Sequence, residues 1–149
     1  MSAPPPQTPF DLGRPSPSAA LMGWRLIDLD AEAGVMEVGF DGKPEFRNPA
    51  GFIQGGILAA MMDDVMGPCL VLHLNGRAFP STIDLHTHYL RPVAVGPVSV
   101  KARVTKVGKS ITFLEAELFD RRGRLSARAT ASAALVSGVF DGPKEAQHG

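Results

Sequence analysis

Two adjacent carboxylates, Asp63 and Asp64, interrupt an otherwise apolar stretch, GGILAAMMDDVMGPCLVLHL, from Gly55 to Leu74. Ala, Leu and Met favour helix there. Apolar residues fall on nearly all sides of that helix, so other structure must wrap it. Gly67 and Pro68 predict a kink or an end in its last third. An unpaired buried carboxylate is costly, so at least one aspartate must reach water, a hydrogen-bond network or a ligand.

The flanking segments read as strands. MGWRLIDLD and GVMEVGF form a hairpin that DGKPEFRNP closes, and Pro44 and Pro49 keep the next stretch irregular. NGRAFPS reads as a turn. TIDLHTHYL alternates, with Ile83, Leu85, Thr87 and Tyr89 on one face and Thr82, Asp84, His86 and His88 on the other. Three longer strands follow, turning at Gly108 and Gly123. Two strands, a long helix and four strands make an α+β chain, not an alternating βαβ one. An antiparallel sheet curled around one helix fits that order, and its exposed edge predicts a dimer. Residues 1–20 read as a flexible Pro-rich arm in which Phe10 and Leu12 could dock, 21–138 as one domain, and 139–149 as a frayed tail.

Fifteen basic and fifteen acidic residues cancel, which removes any general electrostatic case for nucleic acid or an anionic membrane as partner. No apolar run reads as a membrane span, and the N-terminus lacks the pattern of a secretory signal. The single cysteine, Cys69, leaves no internal disulfide and fits a reducing compartment, so a cytoplasmic location is expected. Between Leu85 and Leu114 the Asp, Glu, Lys and Arg residues are all basic: Arg91, Lys101, Arg103, Lys106 and Lys109. Such a run is either solvated strand surface or an anchor for a phosphate-bearing ligand.

Gly55 and Gly56 stand at the helix start, where first-turn N–H groups lack helical partners and the macrodipole favours developing negative charge. Asp63, seven residues past Gly56, returns to within about 20° of the same face but lies about 10 Å further along. One helix cannot bring both to one carbonyl. Two helices antiparallel across a two-fold axis could, which predicts a site shared between subunits. Asp64 points about 100° away. His86 and His88 share a strand face with Asp84, which is the candidate third ligand for a metal site built on two histidines. The chemistry at Asp63 needs none, so no metal is expected. No Ser-centred nucleophile elbow or metal-hydrolase motif is present.

Asn48, Gly51, Gln54, Gly55, Gly56 and Asp63, spaced N-x-x-G-x-x-Q-G-G-x(6)-D, resemble the signature of hotdog-fold acyl-CoA thioesterases, closest in pattern to the phenylacetyl-CoA thioesterase-like branch. The later YLRPVAVGPVSVKARVTKVGKSITFLEAELFDRRGRLSARATAS is similar to that family's strand pattern, and the likeness covers roughly Leu21 to Val136. The resemblance implies a hotdog fold, a curved antiparallel sheet wrapped around one long central helix, assembled as a homodimer or a dimer of dimers. It implies hydrolysis of an acyl-CoA, aromatic or short-to-medium in chain, to free acid and CoA without a cofactor. Carried over by position, Asp63 is the general base or nucleophile and the Gly55 N–H polarises the thioester carbonyl. Asn48 orients the carbonyl or the attacking water, and Thr82 supplies a hydroxyl near the carboxylate. Gln54 stands where the family usually has His; it can hydrogen-bond but cannot titrate near neutral pH. Gly56, Arg91, Lys106 and Lys109 are the candidates for binding substrate and the CoA phosphates. The competing readings are a non-catalytic acyl-CoA binding module on the same fold, and a hydratase, which would want a His-Asp pair that Gln54 does not supply.

Overall fold

A computed structural model describes residues 15–137. The residues of the proposed arm before 15, Phe10 and Leu12 among them, and those of the proposed tail lie outside the described residues. The stretch read as an arm ends in a short helix, α1 (Pro17–Leu21), capped by Ser16. Its Ala19 is buried.

β1 (Arg25–Asp30) and β2 (Val35–Gly42) form the expected hairpin. A 3-10 turn at Pro44–Phe46 then leads to α2 (Gly55–His73). β3 (Ala78–Tyr89), β4 (Gly96–Val107), β5 (Ile111–Phe119) and β6 (Leu125–Ser137) complete one antiparallel sheet in the order β1-β2-β4-β5-β6-β3. The sheet curls around α2 in the hotdog arrangement. β1 and β3 are its two edges.

Met61, Met62, Val65, Met66 and Leu70 of α2 are essentially inaccessible to solvent and meet Val38, Phe40, Val100 and Leu118 from the sheet. Each such side chain stabilises the fold by about 1.5–3 kcal/mol on burial. β6 turns only alanines toward the helix along Ala127, Ala129, Ala131 and Ala133, all buried.

Three local expectations are corrected. First, α2 does not end at Pro68 but continues to His73. A proline cannot donate to the carbonyl four residues back, here that of Asp64. The Trp24 indole N–H takes that carbonyl at 3.0 Å instead. Second, α2 is long and apolar enough by composition to cross a bilayer, although no such run was expected. Here it is the core helix, with eight residues buried in the body of the protein.

Third, β3 begins at Ala78, so only the start of NGRAFPS turns. An edge strand tolerates Pro80. Pairing shifts between Thr82 and Asp84, leaving Ile83 as a bulge with 58% of its surface exposed. The extra residue reverses the alternation upstream. Thr82 pairs with Ala133 and Leu85 with Ala131, both buried, so Thr82 shares the helix side with Leu85, Thr87 and Tyr89. The sequence alternation had put Thr82 with Asp84, His86 and His88, which stay on the outer face.

Candidate active site

Asp63 and Asp64 leave α2 in different directions. The Thr82 hydroxyl donates to Asp63 Oδ1 at 3.3 Å, a contact the β3 bulge makes possible. Partial burial raises the Asp63 pKa above the ordinary carboxylate range, and the Thr82 bond opposes the shift. Because β3 is an edge strand, this carboxylate sits beside the open margin of the sheet.

Asp64 faces α1. Burial raises its pKa first, the neighbouring Asp63 charge raises it further, and a bond from Ser18 works against both. Its Oδ2 is enclosed without a hydrogen-bond partner. Both carboxyls are therefore held protonated to higher pH than a free aspartate, and the Asp63 charge adds to the effect at Asp64.

The helix start is built by three residues. Gln54 is the N-cap, its Oε1 accepting from the Ile57 N–H at 3.1 Å. Gly56 gives that side chain room, since a Cβ there would lie 2.8 Å from Oε1. The Gly55 and Gly56 amides find no acceptor among the described residues. They form a pair of donors at a helix N-terminus, suited to an oxyanion. Asn48 folds back on its own loop, with Oδ1 accepting from the Ala50 N–H at 3.0 Å and the Phe52 N–H at 3.1 Å. It shapes the approach to Gln54.

Sequence reading missed Tyr89. Its hydroxyl donates to the Gly55 carbonyl at 2.6 Å, and its ring stands where a Gly55 Cβ would come within 3.1 Å. The available signal was a tyrosine on the same strand as Thr82. What hid it was the bulge, which obscured that both residues face the helix.

Thr82 beside Asp63 and Tyr89 beside Gly55 fix the direction of β3, antiparallel to α2. Arg91, just past Tyr89, lies at the Gly55 end. Lys106 and Lys109 lie at the other end, where His73 Nδ1 meets the Ala31 carbonyl and Gly34 packs near His73 and Val104. One chain therefore brings Asp63 to Thr82 and Gly55 to Tyr89. It does not bring Asp63 to the free amides, nor the two lysines to Arg91. Among the described residues no group of three or more His, Cys, Asp or Glu side chains is arranged to hold a metal ion.

Residues 50–127 match the profile of the thioesterase superfamily. A crystal structure from Ralstonia eutropha JMP134, described as a provisional thioesterase and phenylacetic acid degradation-related protein, is 34% identical. It superposes with a TM-score of 0.76 over 81% of this chain and 92% of that one. A conserved protein from Pseudomonas aeruginosa is 29% identical with a TM-score of 0.74, over 81% and 94% of the two chains. A protein from Saccharolobus solfataricus with a provisional esterase name is 29% identical over 72% of this chain and 75% of its own length.

Proposed function

Because the chain belongs to the thioesterase superfamily, we propose that it hydrolyses the thioester of an acyl-CoA to free acid and CoA, at a site completed by two copies across a two-fold axis. The observation that carries this reading is the Asp63 carboxylate, held by Thr82 on the helix that begins with the unoccupied Gly55 and Gly56 amides. Those amides lie about 10 Å along the helix from Asp63. A second copy running antiparallel, its β3 edge toward this one, would put its amides opposite this Asp63.

In that arrangement Asp63 takes a proton from water, or attacks the thioester carbon itself. The carbonyl oxygen gathers negative charge against the partner copy's helix start. On the general-base route the C–S bond then breaks, and the thiolate leaves as CoA thiol with the proton that Asp63 accepted. On the nucleophilic route the C–S bond breaks as the acyl anhydride forms, and the one water consumed then hydrolyses the anhydride and supplies the proton that the CoA thiolate takes up. No cofactor or metal is required. Gln54 serves as cap and orienting group, since it cannot shuttle protons. Arg91 from one copy and Lys106 and Lys109 from the other would converge near the CoA phosphates, an arrangement that makes KM salt-sensitive. An aromatic or short-to-medium acyl group is favoured, in keeping with the phenylacetic acid link of the Ralstonia relative.

The test is CoA-thiol release from a panel of aromatic and aliphatic acyl-CoAs by wild type and Asp63→Asn. Turnover that disappears in the folded variant supports the reading. Acyl-CoA binding without turnover on any substrate would sink it in favour of a binding module.

A further inference from the structure

On the outer face of the sheet, away from Asp63, His86 and His88 extend from the edge strand two residues apart. Their cross-strand partners Thr130 and Arg128 alternate with the buried alanines of β6, which fixes both imidazoles on the side opposite the helix. The two Nε2 atoms are 3.1 Å apart, with the rings nearly perpendicular. They open into a groove of about 480 Å³ that Glu115, Glu117, Arg128 and Thr130 also line.

We propose that His86 and His88 together bind a late first-row divalent transition-metal ion, such as Zn2+, Ni2+ or Cu2+, through their two Nε2 atoms. Imidazole nitrogens sit about 2.0–2.1 Å from such an ion, so two on one metal are about 2.9 Å apart at a right angle and about 3.4 Å apart at the tetrahedral angle. The observed 3.1 Å lies between. Without an ion, one ring donates its N–H to the bare nitrogen of the other. For the metal to bind, the donor ring's Nε2 proton moves to its Nδ1 through solvent, so that both Nε2 lone pairs form dative bonds; no redox step is involved.

The surroundings set the strength of the site. Glu117 lies opposite Arg128 on β6 and Lys101 on β4, and Glu115 pairs with Arg103 at 3.8 Å, so the basic side chains along this face are matched by acids. Asp84, the acid two residues before His86 on this face, is engaged by the Ser132 N–H and hydroxyl. With no third protein ligand among the described residues, the remaining positions fall to water or an external ligand. That predicts micromolar affinity, with Cu2+ bound more tightly than Ni2+ or Zn2+. The proposal depends on neither the hydrolytic reading nor the two-fold axis.

The experiment is calorimetric titration of the untagged full chain, stripped of metal, with Zn2+ and Ni2+, alongside Cu2+ titration followed by electron paramagnetic resonance. One ion per chain is expected, showing nitrogen hyperfine structure from two imidazoles with Cu2+. His86→Ala and His88→Ala should each weaken binding about tenfold or more, and the double variant should abolish it with an unchanged melting temperature. Asp63→Asn should bind as wild type. Absence of binding, or a double variant that binds like the wild type, would overturn the proposal.

Discussion

The indole N–H of Trp24 donates to the Asp64 carbonyl at 3.0 Å, replacing the backbone bond that Pro68 cannot make. A residue just before β1 thus supplies the donor that the core helix lacks and ties the start of β1 to α2. Trp24→Phe leaves that half-buried carbonyl unpaired and should cost about 1–2 kcal/mol in urea denaturation. In a Pro68→Ala background the helix supplies its own N–H, so the same replacement should cost less. Equal costs in the two backgrounds would show that the indole bond does not compensate for the proline.

Thr82 and Asp63 set the acid side of the pH profile. The Thr82 hydroxyl donates to Asp63 and lowers a pKa that burial has raised. Removing it in Thr82→Val should push that pKa further up and leave less Asp63 ionised at a given pH. The acid limb of kcat/KM should then move to higher pH, with a loss of up to about tenfold on that limb and little loss well above it, in line with about 1.4 kcal/mol for the lost bond. Thr82→Ser keeps the donor and should keep the profile. An unmoved acid limb in Thr82→Val would remove Thr82 from the site.

The succession of strands and helix along the chain was legible because period-two and helical patterns are local properties of Leu85, Ala129 or Met62. Asp63 was singled out by its place relative to Gly56, and the structure sets the Thr82 hydroxyl beside it. The β3 bulge was not: nothing in TIDLHTHYL marks Ile83 as the extra residue, since pairing with β6 decides it. The position of Thr82 followed from that error, and Tyr89 was overlooked with it. The uninterrupted helix was equally hidden, because its remedy lies 40 residues before Asp64, at Trp24. Such features arise from tertiary partners and leave no periodic trace.

Asp64 should weaken the fold as it ionises. Its folded-state pKa is raised, so between the unfolded value near 3.8 and the higher folded value the native state holds more protons than the unfolded one. Stability contributed by this group is therefore present at low pH and declines as pH rises through that window. Asp64→Asn cannot ionise and escapes the decline. Any change in the amide's own hydrogen bonds is common to every pH, so the informative quantity is the slope. Urea denaturation at pH 4 and pH 8 should show the variant gaining on wild type at pH 8, and parallel profiles would refute the assignment.

Gly55 and Gly56 are adjacent, but their replacement should fail in different ways. A Cβ on Gly56 lies 2.8 Å from Gln54 Oε1, so Gly56→Ala displaces the cap and should cost about 1 kcal/mol of stability. That cost should vanish in a Gln54→Ala background, where no cap remains to displace. A Cβ on Gly55 meets the Tyr89 ring instead, which is 49% exposed and free to swing aside. Gly55→Ala should therefore leave the melting temperature nearly unchanged. It should still lower kcat/KM, because the methyl group and the displaced ring crowd the amides proposed to meet the oxyanion. Thermal melts and thiol-release kinetics on the two variants separate the roles; equal losses of stability in both would count against the division.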